Sequence, residues 1–150
     1  MIEPTENAAR LLKSIWVSDG VISSAAFNLR PHIHETYISV LREAVDSFHE
    51  DTLKVSKERP IFFASINAGD LYSYHVEEID DEVTFEVNET DNAFLKSHAG
   101  IFVKINNQKV VGGEPFESLE LKKGKSVDDV LLSIRKSLAK FASSRIKTLE

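Results

Sequence analysis

The most constraining feature of the chain lies in its last third, where a capped amphipathic helix is written into the sequence. Ser126 is placed as an N-cap, Asp129 occupies the reciprocal capping-box position, and Asp128 and Asp129 face the positive end of the helix dipole. Val127, Val130, Leu131, Ile134, Leu138 and Phe141 then recur at helical spacing, with Lys136, Lys140, Arg145 and Lys147 toward the C-terminal end. An apolar stripe of that width has to be buried against another layer.

The strands that could receive it are also legible. Ile61-Phe62-Phe63-Ala64-Ser65-Ile66 is almost wholly apolar, as a strand buried on both faces would be. Val83, Phe85 and Val87 alternate with Thr84, Glu86 and Asn88, and Ile101, Val103 and Ile105 alternate with Phe102 and Lys104. Asn106 to Lys109 reads as a hairpin turn into Val110-Val111, because Asn tolerates left-handed φ. Thr36 to Val40, rich in β-branched and aromatic residues, predicts a short strand. Near the N-terminus, Thr5 as a cap with Ala8, Leu11, Leu12 and Ile15 predicts a helix over roughly 5–16, ended by the turn Ser18-Asp19-Gly20. A second helix is expected from about 42 to 49, on the spacing of Leu41, Ala44, Val45 and Phe48. Val21 to Phe27 fits either a short strand or a buried helical turn.

These elements predict one α+β domain spanning 1–150, with a central, mostly antiparallel sheet packed against N-terminal and C-terminal amphipathic helices. A length of 150 residues suits one continuous core. No cysteine is present, which excludes disulfides, thiolate metal sites and a thiol nucleophile. The N-terminus lacks the basic and apolar regions of a secretory signal and no stretch approaches a bilayer-spanning length, so a cytoplasmic location and no membrane partner are expected. The closing Leu149-Glu150 matches a dipeptide that cloning junctions commonly leave, and no role is assigned to it.

Charge is unevenly spread. Eight acids lie between Glu77 and Asp91 with no lysine or arginine among them, whereas eight basic residues between Leu121 and Lys147 face only Asp128 and Asp129. Lys136, Lys140 and Arg145 are therefore the candidate contacts for a protein partner or a second copy of the chain. The opposing reading is a solvated helix face and a charged strand edge. A net charge of −6 disfavours nucleic acid.

Candidates for chemistry are few. His32-Ile33-His34 has the spacing of a strand-borne metal pair, which Glu35, Glu43, His75 or His98 would complete, but Pro31 places it in a loop where histidines are ordinarily solvated. No metal is expected there. No dinucleotide or phosphate-loop fingerprint occurs, and no cofactor is expected. Ser23, Ser24, Ser39 and Ser65 are available hydroxyls, but none sits in a nucleophile elbow or an S-x-x-K arrangement. His98, placed before a strand and near Glu89 and Asp91, is a candidate general base with a raised pKa, or a hydrogen-bonded structural histidine.

Ser24-Ala25-Ala26-Phe27, Ser39-Val40 and His98-Ala99-Gly100-Ile101 together resemble small bacterial proteins of uncharacterised function that share S-x-A-F, S-V and H-A-x-I motifs. The resemblance implies a bacterial origin and carries no activity with it. If the shared motifs mark a site, Ser24, Phe27, Ser39 and His98 are its members. The preferred expectation is a non-enzymatic binding or interaction domain. The alternative is a small hydrolase or transferase whose site gathers Ser24, Ser39 and His98.

Overall fold

In the computed structural model, which describes residues 1–29, 35–77, 79–110, 121 and 126–149, the apolar stripe of the C-terminal helix lies in one core with the strands. In chain order the strands are β1 (Asn7–Leu12), β2 (Val17–Ser18), β3 (Val21–Ile22), β4 (Ile38–Arg42), β5 (Ile61–Asn67), β6 (Val83–Glu89), β7 (His98–Ile105), β8 (Gln108–Lys109) and β9 (Ile146–Leu149). The helices are α1 (Phe48–Val55), α2 (Ala68–Tyr72) and α3 (Val127–Ser143), with short 3-10 turns at Ser14–Trp16 and Ser24–Phe27. The main sheet runs β6-β7-β4-β1-β5-β9, with β8 attached to β7, and every pairing is antiparallel. The chain is an α+β domain.

Period-two patterning sorts the sheet into two faces. Ala99, Ile101, Val103 and Ile105 of β7 join Ile38 and Val40 of β4, Ala8 and Leu12 of β1, and Ala64 and Ile66 of β5 in one core, which Val130, Ile134 and Leu138 of α3 complete. The other face carries Ala9, Leu41, Phe63 and His98, and α1 shelters part of it, its Phe48 ring meeting Phe63 edge-on at 5.9 Å. As expected, Ser126 caps α3 by accepting a hydrogen bond from the Asp129 amide. Both two-residue turns behave as their chemistry requires. Asn106 and Asn107 (φ 50° and 66°) turn β7 into β8, and Asp19 and Gly20 (φ 51° and 76°) turn β2 into β3.

The segment expected to be an N-terminal helix is instead β1, the strand between β4 and β5. Its Ala-Ala-Arg-Leu-Leu composition favours a helix locally, but pairing on both edges overrides so weak a preference. Ala8 and Ala9 are both wholly buried, pointing to opposite faces of the sheet. The second helix is also displaced. Residues 43–47 form turns and α1 begins at Phe48, with the polar residues Asp51 and Thr52 on its buried side. Val21 to Phe27 contains both alternatives in turn, β3 followed by a 3-10 turn that Ser23 caps through the Ala25 amide.

The acidic stretch is partly neutralised across strands. Glu86 pairs with Lys104 at 3.2 Å, Glu89 with Arg42, and Asp81 is buried, accepting from Asn106 at 2.9 Å. Arg42 also makes a two-pronged contact with Glu6, and that hydrogen bonding holds the Glu6 carboxyl below its usual range. No helix among the described residues is long and apolar enough to cross a membrane.

Candidate functional site

The ladder between β1 and β4 is short. It pairs Ala8 with Arg42 and Ala9 with Leu41, yet β1 runs on to Leu12 and β4 begins at Ile38. Where the two strands part, the Arg10 side chain bridges the opening, its Nε donating to the Ala26 carbonyl and its terminal nitrogen to the Ser39 carbonyl, each at 2.9 Å. A cavity of about 690 Å³ opens here, within the range of roughly 300–1,000 Å³ typical of small-molecule sites.

Apolar walls come from Leu11, Leu41, Val55 and Leu95, and polar groups from Ser39 and His98. Arg10, Lys13 and Trp16 form another side, with the Arg10 guanidinium 5.5 Å and the Lys13 ammonium 5.2 Å from the Trp16 ring centroid. Lys57 and Glu58 follow α1 to the same opening, and both Glu58 carboxylate oxygens accept from Ser14.

His98 is the most buried ionisable group in this wall, at 7% exposure. The β4/β7 register sets Ser39 opposite Gly100 and Leu41 opposite His98, so Ser39 and His98 share a face as diagonal neighbours. Nδ1 of His98 hydrogen-bonds the Thr90 hydroxyl, while Nε2 makes no hydrogen bond to a described residue. The Tyr37 ring lies over Gly100 and meets the imidazole edge-on at 5.7 Å. A Cβ at position 100 would come within 2.6 Å of that ring, so only glycine lets Tyr37 close down beside His98.

The amide and hydroxyl of Ser97, the residue just before β7, both donate to Asp51 of α1, at 2.9 and 2.5 Å, and Ser47 adds a third bond to the same oxygen. Burial pulls the Asp51 carboxyl upward, but the Ser97 and Ser47 hydrogen bonds with the Lys54 charge outweigh it and leave its pKa lowered. For His98 the balance falls the other way from expectation. Burial depresses the imidazole, and the attraction of Asp51 only opposes it in part, so the pKa is lowered rather than raised. The nearby acids Glu89 and Asp91 do not govern it.

A pH dependence follows from these directions. Below the ordinary imidazole value of about 6.5 the unfolded chain takes up a proton that folded His98 refuses, so stability is full above that pH and falls as acid is added. Glu6 and Asp51, also lowered, add a second loss below about pH 4. Denaturant midpoints measured from pH 8 to 3 should show both steps, and His98→Gln should shrink the first while leaving the second. An unchanged first step in that variant would contradict the assignment.

Of the residues singled out in the sequence, the fold brings Ser39, His98 and Glu35 to one cavity and leaves Ser24, Phe27, Lys136, Lys140 and Arg145 outside its lining. Ser24 is half-buried on its 3-10 turn outside the cavity lining, and Phe27 is packed in the core. Neither serine hydrogen-bonds His98, and its orienting partner is a threonine rather than a carboxylate. Lys136 and Lys140 are exposed on α3. Arg145, counted with them, is half-buried and engaged, its guanidinium 4.0 Å from the Phe141 ring centroid, bonded to the Phe141 carbonyl and paired with Asp70 at 3.4 Å. His32 and His34 lie outside the described residues, among which no group of three or more His, Asp or Glu is placed to hold a metal.

Arg10, Lys13, Trp16 and Asp51 escaped the sequence reading, the first three because a helix was expected around them. The signal that could have found them is the lone tryptophan of the chain, which follows Lys13 by three residues. No protein-family model matches the chain, and no curated protein or solved structure shows significant similarity to it.

Proposed function

We propose that this chain is a small-molecule-binding domain whose ligand enters where β1 and β4 part. The observation that carries the reading is His98, a neutral imidazole buried in the cavity wall, with Nδ1 held by Thr90 and Nε2 left without a hydrogen-bond partner among the described residues. A polar atom left open to solvent in a wall that is otherwise mainly apolar is the arrangement by which a site fixes its ligand's orientation. Binding is favoured over hydrolysis, because a serine nucleophile needs a hydrogen-bonded base and neither Ser24 nor Ser39 has one in His98. The α3 surface is the lesser candidate for a partner, since Arg145 is engaged within the fold and only Lys136 and Lys140 of the three stand exposed.

Trp16 lines the cavity and is the chain's only tryptophan, so its emission reports on occupancy. A set of small metabolites titrated against this signal should contain at least one giving a saturable change. Ala25→Phe, at an exposed position on the cavity lining, should abolish that change without altering thermal unfolding. No saturable response across the set, or a response untouched by Ala25→Phe, would sink the reading.

A further inference from the structure

Resting on that reading of the cavity, we infer that its ligand class is an organic anion with an apolar body and one negatively charged group. Two parts of the lining point to this. The lining offers buried Leu41, half-buried Leu11 and Leu95, and Val55 at its exposed edge, which favour an apolar or aromatic body. The opening carries Arg10, Lys13 and Lys57 against Glu35 and Glu58. Both carboxylates are already engaged, Glu58 by the Ser14 amide and hydroxyl and Glu35 by a partner of its own. Neither Lys13 nor Lys57 forms an ion pair with a described residue, and both are exposed. The lining carries three basic side chains against two acidic ones, a net of +1 at the mouth of the cavity and a local reversal of sign in a chain of net charge −6.

His98 does not supply the positive charge. Its lowered pKa keeps the imidazole neutral at physiological pH, so it serves the ligand's body as a hydrogen-bond partner while the lysines meet the anionic group. The division of labour also separates the two recognition steps. The lysines would draw the anion in through solvent, where salt screens them, and the buried wall would select the body.

The test uses two dyes that differ by one group, 8-anilinonaphthalene-1-sulfonate and its neutral parent N-phenyl-1-naphthylamine, each titrated into the folded full chain with energy transfer from Trp16 as the locating signal. The sulfonate should bind saturably and at least about tenfold more tightly than the neutral dye at low salt, and lose that advantage as salt is raised. Lys13→Met with Lys57→Met should weaken the sulfonate about tenfold and leave the neutral dye unchanged. A cooperative melt at the wild-type temperature checks that the double variant stays folded. Equal affinity for the two dyes, or equal weakening of both by the double variant, overturns the anion inference while the cavity reading stands. Failure of both dyes to bind, or binding untouched by Ala25→Phe, overturns both.

Discussion

Asp51→Ala is expected to destabilise the fold by about 3 kcal/mol, because the amide and hydroxyl of Ser97 would each be left buried without an acceptor at roughly 1–3 kcal/mol apiece. Ser97 is wholly buried, so both donors lie out of reach of bulk water. For a chain of this size the thermal midpoint should fall by about 6–12 °C. Asp51→Asn keeps an oxygen that can accept and should lose about half as much. Guanidinium titrations of the three proteins decide the matter. If the alanine variant is within 0.5 kcal/mol of wild type, a size ordinary for surface changes, α1 does not depend on this junction.

The second large loss is expected at Leu138→Ala, about 3 kcal/mol within a usual range of 2–5 for buried leucine truncation. Leu138 is 1% exposed and lies in the core that α3 shares with β1, β4, β5 and β7. The effect combines lost apolar burial with the void left in a packed layer. Leu132 on the same helix is 36% exposed, and its replacement by alanine should stay within about 0.5 kcal/mol. Equal effects at the two positions would mean that α3 is not seated as described.

α3 was readable from sequence because its cap, charges and stripe all agree, and agreement among local signals is what makes an element legible. β5, β6 and β7 were readable for the same reason. β1 was not, because its apolar residues fall at helical spacing and only its two strand partners, more than twenty residues away in sequence, make it extended. α1 was misplaced because its buried face presents Asp51 and Thr52, polar residues that no search for apolar periodicity would place inward. The site was half legible. Ser39 and His98 carried residue types that attract attention, whereas Arg10, Lys13 and Lys57 gain meaning only from a gap between strands that no local pattern encodes.

The order of strands in the sheet has a kinetic consequence. Arg10 of β1 sits opposite Ala64 of β5, and Ala64 in turn opposite Ile146 of β9, so neighbours in the sheet come from distant parts of the chain. Most of these pairings cannot form by local hairpin closure, and each must await a loop closed over tens of residues. Folding should therefore be slow for a chain of this length, with β5 exposed on one or both edges until its partners arrive. Ile61 to Ile66 is the segment most open to mispairing between chains during that interval, which makes dilute refolding the condition under which the protein should be recovered best.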